Sequence, residues 1–212
     1  MPEPLSSPAP AMRRASQARA RDKQEKLLGA ALTLVAERGF EDVKMSDITA
    51  RADCAVGTAY YLFGNKEGLF RALKERFTEE MNTKIDALGE RPELATAPLA
   101  DVMGEIVYAI LADLRANEGV LRAALARSAN APDEWLSFRD LVQRLQHRLA
   151  GELGPRLKEI AHPDPRLALG FALQLIFSTA ANTLLNDPGP LHLHDSALER
   201  ELTRMACAYL GL

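Results

Sequence analysis

An all-α fold in two parts is predicted for this chain of 212 residues: an N-terminal unit of three helices containing a helix-turn-helix, then a larger helical bundle, about nine helices in all. Three observations predict it. Apolar residues recur at spacings of three and four in segment after segment, and no run alternates with the period of two that a half-buried strand requires. Gly and Pro punctuate the gaps, at Gly39, Pro92, Pro98, Pro132, Gly154-Pro155 and Pro163. Between Lys44 and Leu69 two short helical patterns flank a tight turn.

Taken in order, residues 1–18 are rich in Pro, Ser and Ala and carry Arg13 and Arg14, and they read as a disordered basic tail. From Arg19 to Arg38 an amphipathic helix is marked by Leu27, Leu28, Ala31, Leu32 and Val35 and stops at Gly39, a residue suited to the left-handed cap. A short helix with Ser46 as its cap sets Ile48 and Ala52 inward, and Asp53 tolerates the left-handed backbone at which the chain reverses. A second short helix, about Ala55 to Leu62, places Val56, Ala59, Tyr60 and Phe63 at i, i+3, i+4, i+7. In such a unit the second helix enters the DNA major groove.

Asn65 caps a long fourth helix whose stripe is Leu69, Leu73, Phe77, Met81, Ile85 and Leu88, and residues 90–98 read as a non-helical loop. Helical periodicity then resumes over Leu99–Leu114, Gly119–Ala129 and Trp135–Leu153. Asp164-Pro165 is a helix start with Pro at the first position, and LALGFALQLIFSTAANTLL after it has no charge at all. That run is long enough to span a bilayer, but Gln174, Ser178, Asn182 and its small residues suit protein contact on every side. The last helix opens on a Ser196–Glu199 capping box and buries Leu198, Leu202, Met205, Ala206 and Tyr209.

The stretch KMSDITARADCAVGTAYYLFGNKEGL resembles the DNA-binding signature of the TetR family of transcriptional regulators, through Met45, Ser46, Ile48, Ala50, Ala52, Gly57, Thr58, Tyr60, Phe63, Lys66, Glu67 and Leu69. It departs from that pattern at Asp53 in place of the turn Gly, Ala55 in place of a Ser cap, and Leu62 in place of an aromatic or His. The resemblance implies a DNA-binding domain over 19–72 and a ligand-binding and dimerisation domain over 73–212. It also implies a homodimer built on the last two helices, and an inducer pocket inside the bundle. Ser46 and Lys66 lie at helix N-termini, where free N–H groups suit phosphate. Ala55, Val56, Gly57, Thr58, Tyr60 and Tyr61 form the reading helix, which holds no Arg, Lys, Asn or Gln for bidentate base contacts.

Charge distribution agrees with this division. Residues 1–72 hold 11 Lys and Arg against 9 Asp and Glu, a net of +2, whereas the rest of the chain nets −5. Arg13, Arg14, Arg19, Arg21, Lys23 and Lys26 concentrate ahead of the first core helix, where they suit either a solvated tail or phosphate contact. Cys54 and Cys207 have neither metal-ligand nor redox spacing, and no secretory h-region or membrane span is read, so a cytoplasmic protein is expected.

Other chemistry finds little support. Glu159-x-x-His162 lacks the second copy and the further Glu residues that a di-iron bundle needs, and His192-x-His194-Asp195 lies in a Pro-containing loop without a fourth ligand. No nucleophile motif occurs, and no enzyme, cofactor or metal is expected. Tyr108, Trp135, Phe138, His147, Phe171, Gln174 and Phe177 are the aromatic and polar residues of the inner helices, suited to an apolar pocket with a few orienting groups. The expectation is a ligand-responsive DNA-binding regulator: a repressor on double-stranded operator DNA, released by a small apolar or aromatic inducer. A helical binding or enzymatic bundle with a silent N-terminal motif is the alternative.

Overall fold

The structure, a computed structural model, describes residues 10–128 and 133–212, with side chains described over 18–128, at 136 and over 138–212. Ten α-helices and two 3-10 turns make up the described residues, and no strand occurs among them. The chain divides into two compact units, Met1–Lys74 and Glu75–Leu212.

In the first unit, α1 spans Pro10–Arg38, α2 Met45–Arg51 and α3 Val56–Phe63, and α4 (Lys66–Asp86) begins there. The helical backbone from Pro10 corrects the expectation of disorder over 1–18 for the part that is described. Ala, Met, Arg and Gln make up most of residues 11–18, and all are good helix formers. Residues 1–9 lie outside the described residues. Leu27, Leu28, Ala31, Leu34 and Val35 of α1 close over Ile48, Ala59, Leu69, Phe70 and Leu73, all buried. Phe40 turns in behind α1 and stacks on Phe70 with ring centres 4.7 Å apart. Gly39 adopts φ 78° at the end of α1, as a left-handed cap requires.

In the second unit α4 continues into a 3-10 turn at Ala87–Glu90. It is followed by α5 (Glu93–Thr96), α6 (Leu99–Ala116), α7 (Glu118–Ser128), α8 (Asp133–Glu152), a 3-10 turn at Gly154–Glu159, α9 (Pro165–Asn186) and α10 (Ser196–Leu210). The stretch 90–98, expected to be loop, thus folds one helical turn. Pro92 takes its N-cap position, where a missing N–H costs nothing, and Leu94 is buried beneath it. α9 starts as expected, with Asp164 Oδ1 accepting from Leu167 N at 3.0 Å. α10 does not start as expected. Asp195 is its N-cap, Ser196 is already helical and accepts from Arg200, and Glu199 pairs with Arg115 at 3.5 Å, so the Ser196–Glu199 capping box does not form.

In the first turn of α4, where it passes the end of α3, the chain has room for one residue type at Gly68. A Cβ on Gly68 would lie 1.8 Å from the carbonyl oxygen of Phe63, a backbone atom that cannot swing aside. Gly68→Ala is therefore expected to cost about 1–3 kcal/mol, read as a fall in melting temperature of roughly 2–4 °C per kcal/mol. Gly57→Ala, where a Cβ meets open space, serves as the matched control.

Candidate functional site

Helix α2 begins two residues earlier than a Ser46 cap would place it. Lys44 is the N-cap, its N–H donating to Asp47 Oδ2 at 3.3 Å, and Ser46 sits exposed in the first turn rather than capping it. The Asp47 carboxylate, three residues on, thus satisfies the N–H of the N-cap itself. Buried Thr49 returns its hydroxyl to Ser46 O at 3.0 Å. Asp53 then takes φ 50°, the left-handed reversal read from the sequence, and Cys54 N donates to Thr49 O at 2.9 Å to close the turn. Arg51 ties the end of α2 to Glu37 of α1 at 3.0 Å.

Helix α3 has Ala55 as its N-cap in extended geometry (φ −65°, ψ 140°), with no side chain to satisfy the free N–H groups behind it. Only Ala59 of this helix is buried. Val56 and Tyr60, which the i, i+3, i+4, i+7 spacing sends toward the core, are instead 47% and 50% exposed, and Tyr61 is 87% exposed. The spacing misleads because a helix this short needs one small contact, Ala59, to seat itself. Thr58 is half-buried, and Gly57 presents open backbone. Ser46, Ala55, Val56, Gly57, Tyr60 and Tyr61 are thus all exposed in the first unit.

Lys66 has a different setting. Its ammonium donates to Glu41 O at 2.7 Å and lies 4.7 Å from the centre of the Phe40 ring, so it pins the loop after α1 to the start of α4. Asn65 caps that helix as expected, Oδ1 accepting from Gly68 N at 2.8 Å.

The second unit encloses a cavity of about 440 Å³. Its walls come from Phe77, Met81 and Ile85 of α4, Val102, Ile106 and Ile110 of α6, Phe138, Leu141 and Leu145 of α8, and Phe177 and Ala181 of α9. Phe138 and Phe177 are therefore placed as the sequence suggests. Tyr108, His147, Phe171 and Gln174 are not: all four are exposed on outward faces and do not line the cavity. The side chain of Trp135 lies outside the described residues. The wall residues missed by sequence reasoning are aliphatic, and nothing in helical periodicity separates a cavity wall from packed core.

No group of three or more His, Cys, Asp or Glu arranged for a metal occurs among the described residues. His192 Nδ1 lies 2.7 Å from Asp187, a hydrogen bond that holds its pKa above the ordinary value, and His194 Nε2 lies 2.8 Å from Glu118. Burial alone would raise the Glu118 carboxyl, but hydrogen bonds from Arg122 and His194 outweigh it and hold its pKa below the usual one. Glu159 is engaged by Arg156 at 2.7 Å, away from His162.

Comparison with known proteins agrees with this geometry. A family profile described as bacterial regulatory proteins of the tetR family matches residues 27–73, and one described as the tetracyclin repressor-like C-terminal domain matches residues 98–210. The HTH-type transcriptional repressor KstR of Rhodococcus jostii is 29% identical over 144 residues, 66% of this chain and 66% of that protein. KstR of Mycolicibacterium smegmatis is 28% identical over 114 residues, 54% of this chain and 56% of its own length. The match thus spans just under two thirds of the first relative and about half of the second. Among solved structures, a TetR-family regulator from Mesorhizobium loti superposes with a TM-score of 0.70 at 18% identity, covering 91% of this chain and 97% of that one. Salmonella enterica GusR does so with 0.63 at 20% identity, over 90% and 96%. At such identities the likeness is one of fold.

The uncapped start of α3 gives a direct test. Ala55→Ser places a hydroxyl where the extended N-cap backbone already suits it, and is expected to stabilise the first unit by about 1 kcal/mol in denaturant unfolding. An unchanged midpoint with an unchanged slope would show that the cap position is already satisfied by solvent.

Proposed function

This chain belongs to the TetR family of bacterial regulatory proteins, and we propose that it is a transcriptional repressor: a homodimer on double-stranded operator DNA, released when a small apolar ligand enters the cavity of its second unit. The observation that carries the DNA-binding part is the outer face of α3. A helix of eight residues leaves Val56, Tyr60 and Tyr61 in solvent while burying only Ala59, an arrangement that suits insertion into a groove better than packing within the chain. Thr58, the tyrosine hydroxyls and thymine-methyl contacts would read the sequence, with Gly57 allowing close backbone approach and Ser46 and the start of α3 holding phosphate. Lys66 serves mainly as the pin described above, and contributes to phosphate binding through the positive charge it keeps at the rim.

The dimer reading rests on α9. Leu167, Phe171, Gln174, Ser178, Asn182 and Leu185 fall at spacings of three and four along one exposed face, and none carries a charge. Such a stripe suits an isologous pairing of α9, with α10 beside it, against a second copy. Ala181, half-buried, turns toward the cavity instead. Regulation through ligand requires that the cavity and the DNA-reading unit share a moving part. α4 is the candidate, since one continuous helix bears Leu69 and Phe70 in the first unit and cavity residues Phe77, Met81 and Ile85 in the second. The place of work is the cytoplasm. The alternative of a silent N-terminal motif on an enzymatic bundle has no observation of its own, and the relatives named above are regulators.

The test of function is a gel shift on the DNA flanking the protein's own gene. Specific retardation is expected, lost on Tyr61→Ala without a change in helical content; equal binding by the variant would place the reading surface elsewhere. Sedimentation provides the second test. The unmodified protein should sediment as a dimer at micromolar concentration and Ser178→Arg as a monomer, whereas a stable monomer before mutation would remove the α9 stripe as an interface.

A further inference from the structure

The chemistry of the cavity wall selects among ligands. Among its described residues there is no Ser, Thr, Asn, Gln, His or Tyr, so no neutral side chain offers a hydrogen bond to anything inside. Charged residues occur in four places, and each is matched by another of the same wall. Lys84 of α4 pairs with Asp113 of α6, and Arg91, after the 3-10 turn, pairs with Glu105 of α6 at 2.5 Å. Glu105 and Asp113 are eight residues apart on one helix, about 12 Å along its axis. Exposed Ala109 lies midway between them. The two ion pairs thus stand as rungs on either side of a small residue that leaves the wall open, and together they carry no net charge.

On the reading that this cavity is the regulatory ligand site, we infer that its ligand is an uncharged lipophile with a hydrocarbon skeleton and no hydrogen-bonding group on the part that is buried. A carboxylate, alcohol or amide carried inside would lose its water and find no neutral partner among the described wall residues, which is the costly outcome for a polar group. A carboxylate held at the opening would have to share Lys84 or Arg91 with the acidic partner each already has, on a rim that carries no net charge. Dispersion and loss of apolar hydration are the forces that remain, and both favour a hydrocarbon skeleton shaped to Leu, Ile, Val and Phe side chains. The space is of ligand size, toward the lower end of the usual range.

Pyrene and pyrene-1-carboxylate provide a matched pair, because the emission band ratio of pyrene reports whether the ring system has left water. Full-length protein is expected to bind pyrene in an apolar environment at least roughly tenfold more tightly than the carboxylate, given what an unpaired buried charge costs. Asp113→Asn, which frees Lys84, should improve the carboxylate several-fold and leave pyrene unchanged. Val142→Trp and Ala181→Trp, on different helices, fill the space and should each abolish pyrene binding while a retained unfolding transition shows that the chain has folded. Equal or tighter binding of the carboxylate to the unmodified protein, no binding of either probe, or undiminished pyrene binding by a folded filled variant would each overturn the inference. Adding pyrene to the DNA complex separates the two levels. Binding in the cavity without release of DNA supports the ligand class and counts against ligand-driven regulation, whereas release by the carboxylate but not by pyrene does the reverse.

Discussion

Helix α9 has one charge, Arg166, in 22 residues, and the second unit is built around two of its faces. One row, Ala168, Leu169, Ala172, Leu173, Ile176, Ala180 and Leu184, is buried among α6, α7, α8 and α10, and its alanines let those helices approach closely. A second flank, Phe177 and Ala181, faces the cavity. The third face is the uncharged stripe from Leu167 to Leu185, which this chain leaves uncovered. A core wall, a cavity wall and an apolar outer face on one rod mean that a change in any of them is felt by the other two, because a helix this regular moves as a body.

How far the sequence discloses such a structure depends on what each residue has to satisfy. Backbone constraints leave chemical signatures: Asp53 at the reversal, Asp164-Pro165 at the start of α9 and Asn65 before α4 are legible because few other residues fit. Caps are less so: at α10 Asp195, next to the expected serine, takes the position, and at α2 Lys44 takes it, with its N–H donating to the carboxylate of Asp47. The helix-turn-helix was legible as a unit, since Gly57, Tyr60, Phe63 and Leu69 stand at fixed spacing. The cavity was not. Choosing aromatic and polar residues for it picked Phe138 and Phe177 but also Tyr108, His147, Phe171 and Gln174, whose polarity or place on an outward face keeps them in solvent. Emptiness is a property of how aliphatic side chains fail to fill a space together, and no single position records it.

The first unit shows a related economy. The positive charge that sequence spacing offers to phosphate, Lys66, is engaged by Glu41 O and the Phe40 ring, and α3 holds no cation of its own. Affinity for a polyanion must then come from elsewhere. Arg19, Arg21, Lys23 and Lys26 are exposed on the same continuous α1 whose C-terminal half forms the core of the unit, interleaved with Asp22 and Glu25. Because they sit on a helix rather than on a loose arm, any phosphate contacts they make are fixed in register with α2 and α3. Less ordering entropy is lost than a disordered tail would lose on binding.

Energetics restrict how a hydrocarbon ligand can act through such a site. A ligand shifts an equilibrium only by the difference between its affinities for the two shapes, and moving a population from 1:99 to 99:1 takes about 5.5 kcal/mol of difference. With no neutral hydrogen-bonding side chain among the described wall residues, that difference has to come from apolar area at about 25 cal/mol per Å², which amounts to on the order of 220 Å² gained in one shape and absent in the other. A sphere of the observed 440 Å³ has a surface of about 280 Å², little more than that requirement at the same coefficient. Slight tightening of a cavity present in both shapes cannot supply so large a difference. For a hydrocarbon to throw such a switch that far, the DNA-competent shape would need this space largely collapsed or opened to water, and the rungs from Lys84 and Arg91 to α6 are the contacts that such a change would break or remake.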